Sequence, residues 1–191
     1  MEAREKILQA VTANKPDLIE LPEMDLSQAV RYSNLVEQFM NVLKASGADT
    51  FFENSGNLLV TDIDSVKQQG DFMINLLEKD ERQEWEELTA SELKGLDTCY
   101  IRAQLGVAEN GAMWISEEQM SNRLLPFICQ HLVIVLDPAD IVDNMHQAYQ
   151  QIKTGHNGFG VFIAGPSKTA DIEQNLVIGA HGARSLRVYV I

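Results

Sequence analysis

"HLVIVLDPAD", residues 131–140, passes from an apolar run into a polar turn that contains proline. A short uninterrupted run of Leu, Val and Ile is typical of a strand buried on both faces of a parallel sheet. Asp137 followed by Pro138 favours a helix start, because Asp caps the first turn and Pro fits its first position. The stretch therefore predicts a central parallel strand followed by a helix over 138–154.

The sequence towards the C-terminal side repeats this alternation. "FGVFIA" at 159–164 and "LRVYVI" at 186–191 have the composition of buried strands, and "SKTADIEQNLVIG" at 167–179 is a candidate helix between them. A strand–helix–strand–helix–strand order implies a parallel sheet with right-handed crossovers. The predicted fold class is α/β, with a mainly parallel sheet flanked by helices and with these three strands parallel in one sheet.

The N-terminal part predicts a helical arm in front of this sheet. The first residues form a short amphipathic helix that Pro16 stops, and the stretch up to residue 24 has the composition of a linker. A second helix is expected to begin at its cap, Asp25, and to end at Gly47. The predicted organisation is an arm and linker over 1–24 and an α/β domain over 25–191.

Charge and composition disfavour several classes of partner and cofactor. The chain has 191 residues and a net charge of −13, which repels nucleic acid and anionic lipid. No apolar run approaches the roughly 18 residues that cross a bilayer. The N-terminal residues lack the apolar region of a signal peptide, so we expect a cytoplasmic protein. Cys99 and Cys129 stand apart, which favours buried free thiols and predicts neither a metal site nor an iron–sulfur cluster on this chain.

The C-terminal stretch differs from the rest of the chain in charge. Residues 151–191 contain four Lys or Arg and two Asp or Glu, so this part is positive within an acidic protein. Ligands of parallel α/β sheets collect at the carboxyl ends of strands, and Gly165-Pro166-Ser167 follows one predicted strand. Hydroxyls and free N–H groups at a helix start bind anions. The same pattern also suits an ordinary capped helix after a tight turn, and both interpretations stay open.

His181 lies in the glycine-rich stretch "GAHGARS", residues 179–185. An imidazole held in such a turn can act as a hydrogen-bond donor, an acid or a base, or it can be a structural turn residue. Arg184 can bind a carboxylate or phosphate through two hydrogen bonds, or it can pair with a surface acid. These residues extend the candidate site beyond the Gly-Pro-Ser turn.

Two stretches carry a family resemblance. "GPSKTADIEQNLVIGAHGARSLRVYVI" resembles the C-terminal signature of the lactate utilisation protein C family, whose domain is called LUD, and "GVAENGAMWI" is similar to that family's Ala-Glu-Thr-Gly segment. The second stretch places Glu109 at the family's Glu, and Asn110-Gly111 predicts a hairpin turn there. The sequence departs from the family pattern at Arg102 and Gln104, at Asn110, and at Ala183.

The resemblance implies both a fold and a role. It implies the fold of the NagB/RpiA/CoA-transferase-like superfamily, and a part in oxidising L-lactate to pyruvate. The expected protein is a non-redox subunit of a cytoplasmic L-lactate utilisation system, without a cofactor of its own. It would bind a small anionic ligand or organise partner subunits that carry the iron–sulfur clusters.

The alternative is a stand-alone enzyme of the isomerase, CoA-transferase or cyclo-ligase kind, which would act on a phosphorylated or carboxylated small molecule. In that enzyme Glu109 would be a nucleophile or base, whereas an exposed Glu beside an Asn-Gly turn is also ordinary. If the signature is a ligand site, its residues should converge. The candidate catalytic residues are Glu109, Asp171 and His181, and the candidate ligand-binding residues are Gly165, Ser167, Thr169, Gly182 and Arg184.

Overall fold

The computed structural model describes residues 3–17, 19, 25–52, 55–78, 85–152, 158–172 and 175–191. Side chains are described for these residues except 169–172 and 175–177. Most of the predicted linker, Glu173 of the signature motif and the end of the predicted helix at 153–154 lie outside the described residues.

A five-stranded sheet with every neighbouring pair parallel forms the centre of the α/β fold. Its order is β1-β11-β6-β3-β2, and "HLVIVL" is the middle strand. The predicted neighbour "LRVYVI" pairs with it directly, Leu186 beside Leu132, so this part of the prediction is confirmed. The strands are β1 Asp49–Phe51, β2 Met73–Asn75, β3 Thr98–Arg102, β6 His131–Leu136 and β11 Ser185–Val190.

A second, four-stranded sheet has the order β7-β4-β5-β8. Strands β4 and β5 form an antiparallel hairpin around the predicted Asn110-Gly111 turn, in which the Gly111 N–H donates to the Val107 carbonyl at 2.8 Å. Only β4 and β7 are parallel in this sheet. The strands are β4 Leu105–Val107, β5 Met113–Ser116, β7 Ile141–Val142 and β8 Gly160–Ile163.

Strand β8 corrects the prediction that "FGVFIA" lies parallel in the central sheet. It belongs to the second sheet and pairs antiparallel with β5, Met113 beside Ile163. Phe162 packs against Trp114 with ring centroids 4.9 Å apart, and the Trp114 ring lies against Gly160, where a side chain would collide with it. The composition of "FGVFIA" suits a strand of either sheet. The contact between Phe162 and Trp114 favours pairing in the second sheet.

The predicted helix over 138–154 is also wrong in its extent. Asp137 caps only a 3-10 turn, Pro138–Asp140, and the next two residues form β7 beside β4. Ile141 and Val142 are β-branched and buried, so they favour a strand where apolar spacing alone permits a helix. The helix begins later, as α6 Met145–Gln151, after its cap Asn144, whose side chain accepts from the Gln147 N–H at 3.1 Å.

The segment 167–179 is a β-hairpin and not the predicted helix. Strands β9, Lys168–Ile172, and β10, Asn175–Ile178, pair antiparallel, with Lys168 beside Ile178. The segment is rich in Thr, Ile and Val, which favour strands. The helix start on which the predicted anion site depended is therefore absent from this described segment.

The helices cover both faces of the central sheet. The predicted long helix from Asp25 is shorter than expected, because Asp25 caps only the 3-10 turn Leu26–Gln28 and α2 begins after its own cap, Asn34. Helix α1 has no buried residue. The helices are α1 Ala3–Ala13, α2 Leu35–Ala45, α3 Ser55–Gln69, α4 Glu117–Met120, α5 Leu125–Ile128 and α6 Met145–Gln151.

Alternate residues of the central strands enter two separate cores, since successive side chains of a strand point to opposite faces. On one face Phe39 of α2 packs in a cluster with Ile134 and Val188. On the other face Leu59 of α3 packs in a cluster with Tyr100, Tyr189 and two valines. The two cysteines are buried and unbonded in the first core, as predicted. Burial raises the pKa of the Cys129 thiol to about 12.

Among the described residues, no helix has the length and apolar character that a membrane span requires.

Candidate functional site

A cavity of about 310 Å³ brings together residues from both halves of the C-terminal signature. Gly165 and Ser167 reach it from the turn after β8, and His181 and Gly182 reach it from the turn before β11. A volume of this size suits a small molecule. The remaining wall is mostly apolar and includes Pro126, Phe127, Leu132, Phe162, Ile163 and Leu186.

The turn after β8 is held close to the end of α2. Gly165 has a φ of +97°, which side-chain-bearing residues rarely adopt. A Cβ added there would lie 3.0 Å from the carbonyl oxygen of Ser46, the residue that follows α2. Glycine is therefore required both by the backbone angle and by the close approach of the two segments.

Two backbone hydrogen bonds join the halves of the signature. The Ser167 N–H donates to the Ala183 carbonyl at 2.9 Å, and the Gly179 N–H donates to the Ser167 carbonyl at 3.0 Å. They close the base of the β9–β10 hairpin, so residues 167 and 182 become neighbours although the hairpin separates them. A Cβ added at Gly182 would lie only 3.2 Å from Cβ of Ser167.

Lys168 supplies a cationic side chain to this cavity. Its Nζ donates to the Ser46 carbonyl oxygen at 2.6 Å, which holds the ammonium group at the end of α2. A cation is favourable there because the last carbonyls of a helix carry partial negative charge. The ammonium has further N–H groups to donate to a ligand.

The cavity lies at the amino ends of the central strands, whereas the sequence predicted a site at the carboxyl ends. Leu132 and Leu186 are the second residues of β6 and β11, and Ala183 precedes β11. The difference arises because "FGVFIA" runs in the second sheet, so its C-terminal end is not aligned with those of the parallel strands. At the same edge, His131 Nδ1 lies 2.7 Å from Ser185 Oγ.

Glu109 and Arg184 do not line this cavity. Glu109 is exposed, and its Oε2 accepts from the Met145 N–H at 3.1 Å, at the start of α6. Arg184 is also exposed, and its backbone N–H donates to the Gln130 carbonyl at 2.8 Å. The backbones of Thr169 and Asp171 lie in β9, and their side chains are outside the described part. The functional roles of all these residues stay predictions.

One polar cluster has no counterpart in the sequence predictions. Under α3, the Tyr100 hydroxyl donates to Asp62 Oδ2 at 3.0 Å, and Arg187 Nη2 lies 3.3 Å from the same oxygen. Burial, followed by the nearby Asp62 charge, raises the pKa of Tyr100. The signal in the sequence is Arg187 itself, a charge in the apolar strand "LRVYVI". Its partner Asp62 cannot be identified from spacing.

No group of three or more His, Cys, Asp or Glu residues is arranged to hold a metal ion in the part of the chain that the structure describes.

The sequence profile of the LUD domain matches residues 2–191. The chain belongs to the LUD domain family. A protein of Neisseria meningitidis described as uncharacterized is 33% identical over 99 residues, which are 50% of this chain and 42% of that protein. A protein of Bacillus pumilus named lactate utilization protein C is 35% identical over 82 residues, which are 40% of this chain and 34% of that protein.

The match therefore spans less than half the length of these curated relatives. A crystal structure of a DUF162 family protein from Deinococcus radiodurans has a similar fold, with a TM-score of 0.59 and 13% identity. The similarity covers 88% of this chain and 99% of that one. At this level of identity it supports the α/β fold alone.

The cavity of this LUD domain combines an imidazole, a hydroxyl and an ammonium group with an apolar wall. An ammonium or a protonated imidazole binds a carboxylate, and a serine hydroxyl both donates and accepts. The apolar wall suits a short hydrocarbon part. The site is therefore chemically suited to a small molecule that joins a carboxylate to a few carbon atoms.

Proposed function

We propose that this LUD domain works in lactate utilisation in the cytoplasm and binds a small 2-hydroxy or 2-oxo carboxylate between Ser167, Lys168 and His181. The observation that carries the proposal is their convergence on one cavity of about 310 Å³. Several relatives bear the name lactate utilization protein C, which supports the same substrate class.

L-Lactate has two polar groups on a three-carbon skeleton, and each has a matching group in the cavity. The carboxylate is matched by the Lys168 ammonium, which is fixed by the Ser46 carbonyl, and the 2-hydroxyl by Ser167 or His181. The methyl group is matched by the apolar wall around Phe162. Pyruvate keeps the carboxylate and the methyl group, so the proposal extends to the product.

Oxidation of lactate to pyruvate removes two electrons and two protons from the substrate. In the proposed system the electrons pass to iron–sulfur partner subunits, and this chain contributes ligand binding and the organisation of those subunits. Co-purification from the native host, with identification of every associated polypeptide and its iron content, tests this part. Recovery of the chain alone under several mild conditions would count against it.

Titration calorimetry with L-lactate and with pyruvate tests the binding site. Loss of one charge-assisted hydrogen bond weakens binding by about 1.5–3 kcal/mol, or roughly 10- to 100-fold in Kd. We therefore expect this loss for Lys168→Ala. For His181→Ala, whose partner is the neutral 2-hydroxyl, we expect a smaller loss of about 0.5–1.5 kcal/mol, or roughly 2- to 10-fold in Kd. The matched controls are Lys94→Ala and His146→Ala, which replace the same residue types at exposed positions outside the cavity.

Two outcomes would contradict the proposed site. One is that the unmodified protein binds neither L-lactate nor pyruvate. The other is that His181→Ala and His146→Ala bind equally well. Circular dichroism of each variant separates loss of binding from loss of folding.

A further inference from the structure

A second cavity, of about 410 Å³, lies at the opposite edge of the central sheet. Arg102, the last residue of β3, lines it, and so does Asp140, which ends the 3-10 turn that follows β6. It shares no lining residue with the first cavity. This edge is the carboxyl end of the parallel strands, where α/β folds bind ligands. Its polar and aromatic lining consists of Arg102, Gln104, Trp114, Gln119, Asp140 and Gln151.

Most of the polar groups in this second cavity are available to a ligand. Within the described part of the chain, the side chains of Arg102, Gln104, Asp140 and Gln151 make no hydrogen bond and no ion pair. Gln119 Oε1 accepts from the Ser116 hydroxyl at 2.7 Å, which orients the amide and leaves its NH₂ group to donate. The cavity is therefore surrounded by polar side chains that are able to hydrogen-bond a ligand.

The two charges of the cavity are opposite and are not in contact. Arg102 and Asp140 are close enough to interact electrostatically, yet they form no ion pair. Burial, followed by the neighbouring Asp137, raises the pKa of Asp140, and Arg102 opposes this rise. A ligand with both a carboxylate and an ammonium group can bridge such a pair, since each charge then meets its opposite.

We propose that this cavity binds an α-amino acid, or a closely similar zwitterion, that has a polar side chain. Arg102 binds the carboxylate of the ligand, and Asp140 binds its ammonium group. The three glutamine amides form hydrogen bonds with its polar side chain. The indole of Trp114 forms the wall beside the ligand's carbon atoms.

The charges that line the cavity favour a zwitterion over an anion, because Arg102 and Asp140 supply one charge of each sign. A ligand with a negative charge alone would leave Asp140 without a partner and would be repelled by it.

Saturation-transfer NMR on the full chain tests the proposal with four probes. L-Glutamine and L-serine are zwitterions with polar side chains, N-acetyl-L-glutamine lacks the ammonium group, and D-gluconate is a hydroxylated carboxylate. We expect the two amino acids to bind, and the other two probes to bind at least about 10-fold more weakly, since each lacks one of the two charges.

Charge-removing variants locate the site. Arg102→Gln and Asp140→Asn are each expected to weaken L-glutamine binding by about 10-fold or more, because each leaves one charge of the ligand unpaired. The matched controls, Arg4→Gln on α1 and Asp64→Asn on α3, replace exposed residues outside the cavity and should leave binding unchanged.

A readout on the unmodified protein makes the test independent of variant folding. The chain has two tryptophans, and L-glutamine should shift the indole N–H resonance of Trp114 and not that of Trp85. Binding of D-gluconate or N-acetyl-L-glutamine as tight as that of L-glutamine would overturn the zwitterion assignment. Absence of binding by both amino acids, or a shift of Trp85 alone, would overturn the site.

Discussion

Replacement of Asp62 by alanine removes a carboxylate whose Oδ2 contacts two side chains under α3. Tyr100, which is completely buried, loses the acceptor of its hydroxyl, and Arg187 loses the carboxylate 3.3 Å from its Nη2. Nη2 and Nε of Arg187 are already buried without a hydrogen bond, so the contact with Asp62 is an ion pair that lacks hydrogen-bond geometry. The variant therefore leaves a hydroxyl and a charge without partners.

The expected loss of stability follows from these two contacts. A buried hydroxyl without an acceptor costs about 1–3 kcal/mol. The side chains of Arg187 and Asp62 are 24% and 16% exposed. The ion pair thus lies between an exposed pair, worth about 0–1 kcal/mol, and a buried pair whose disruption costs about 3–5 kcal/mol. With about 1–2 kcal/mol for the pair, Asp62→Ala should lower the free energy of unfolding by about 2–5 kcal/mol.

Asp64→Ala is the matched control, because it replaces the same residue type on the same helix at an exposed position. It should change the free energy of unfolding by no more than about 0.5 kcal/mol. Urea unfolding followed by circular dichroism measures both variants. Calorimetry should show a fall in Tm of about 10 °C for Asp62→Ala alone.

A double variant tests the assignment to Arg187. Once Asp62 is alanine, Arg187→Met removes the unpaired charge, so the two changes together should destabilise less than the sum of the single changes. Additive effects would refute the ion pair. Equal destabilisation by Asp62→Ala and Asp64→Ala would refute the whole cluster as a source of stability.

Two further predictions concern alkaline pH and the signature turn. Burial, followed by Asp62, raises the pKa of Tyr189 from 10.0 to about 12, so above pH 10 the unfolded chain loses this proton first. The contribution of Tyr189 to the free energy of unfolding should then fall by up to about 1.4 kcal/mol per pH unit until about pH 12. Tyr189→Phe should therefore lower the slope of stability against pH, measured by urea unfolding between pH 9 and 12, by up to that amount, and equal slopes would contradict the burial of the hydroxyl. Gly165→Ala should lower the free energy of unfolding, measured by urea unfolding, by about 1–3 kcal/mol because of the positive φ at this position. Gly56→Ala in α3, which has open space around it, should leave the free energy of unfolding unchanged or raise it.

Two central strands were predictable because few structures other than a buried strand suit their composition. "HLVIVL" and "LRVYVI" are apolar at nearly every position, which a strand covered on both faces requires. "FGVFIA" has the same composition, but its sheet is decided by the contact between Phe162 and Trp114, residues far apart in sequence. The hairpin at 168–178 was missed because its apolar residues fit a helical spacing as well as a strand.

The two candidate sites differ in how far the sequence indicates them. Ser167 and His181 were predicted to converge and do so, although a hairpin and not a helix joins them. The cavity with Arg102 and Asp140 was not predicted, because it depends on the register of neighbouring strands. Arg102 lies beside Val135, near the end of β6, and this pairing brings β3 next to the turn that contains Asp140. Such a register follows from packing of the whole sheet and has no local signal.

The position of β11 between β1 and β6 has a consequence for biosynthesis. Residues 49–51 leave the ribosome early, yet their partners lie at 187–189. Until β11 is synthesised, β1 has no strand to pair with in the sheet. The edge of β6 then exposes unpaired backbone groups that can pair with strands of other chains. Insertion of β11 between β1 and β6 joins residues that are far apart in sequence, and such non-local pairing is slow. Chains that end before residue 185 should depend on chaperones and tend to aggregate, while released chains that contain the whole of β11 should not.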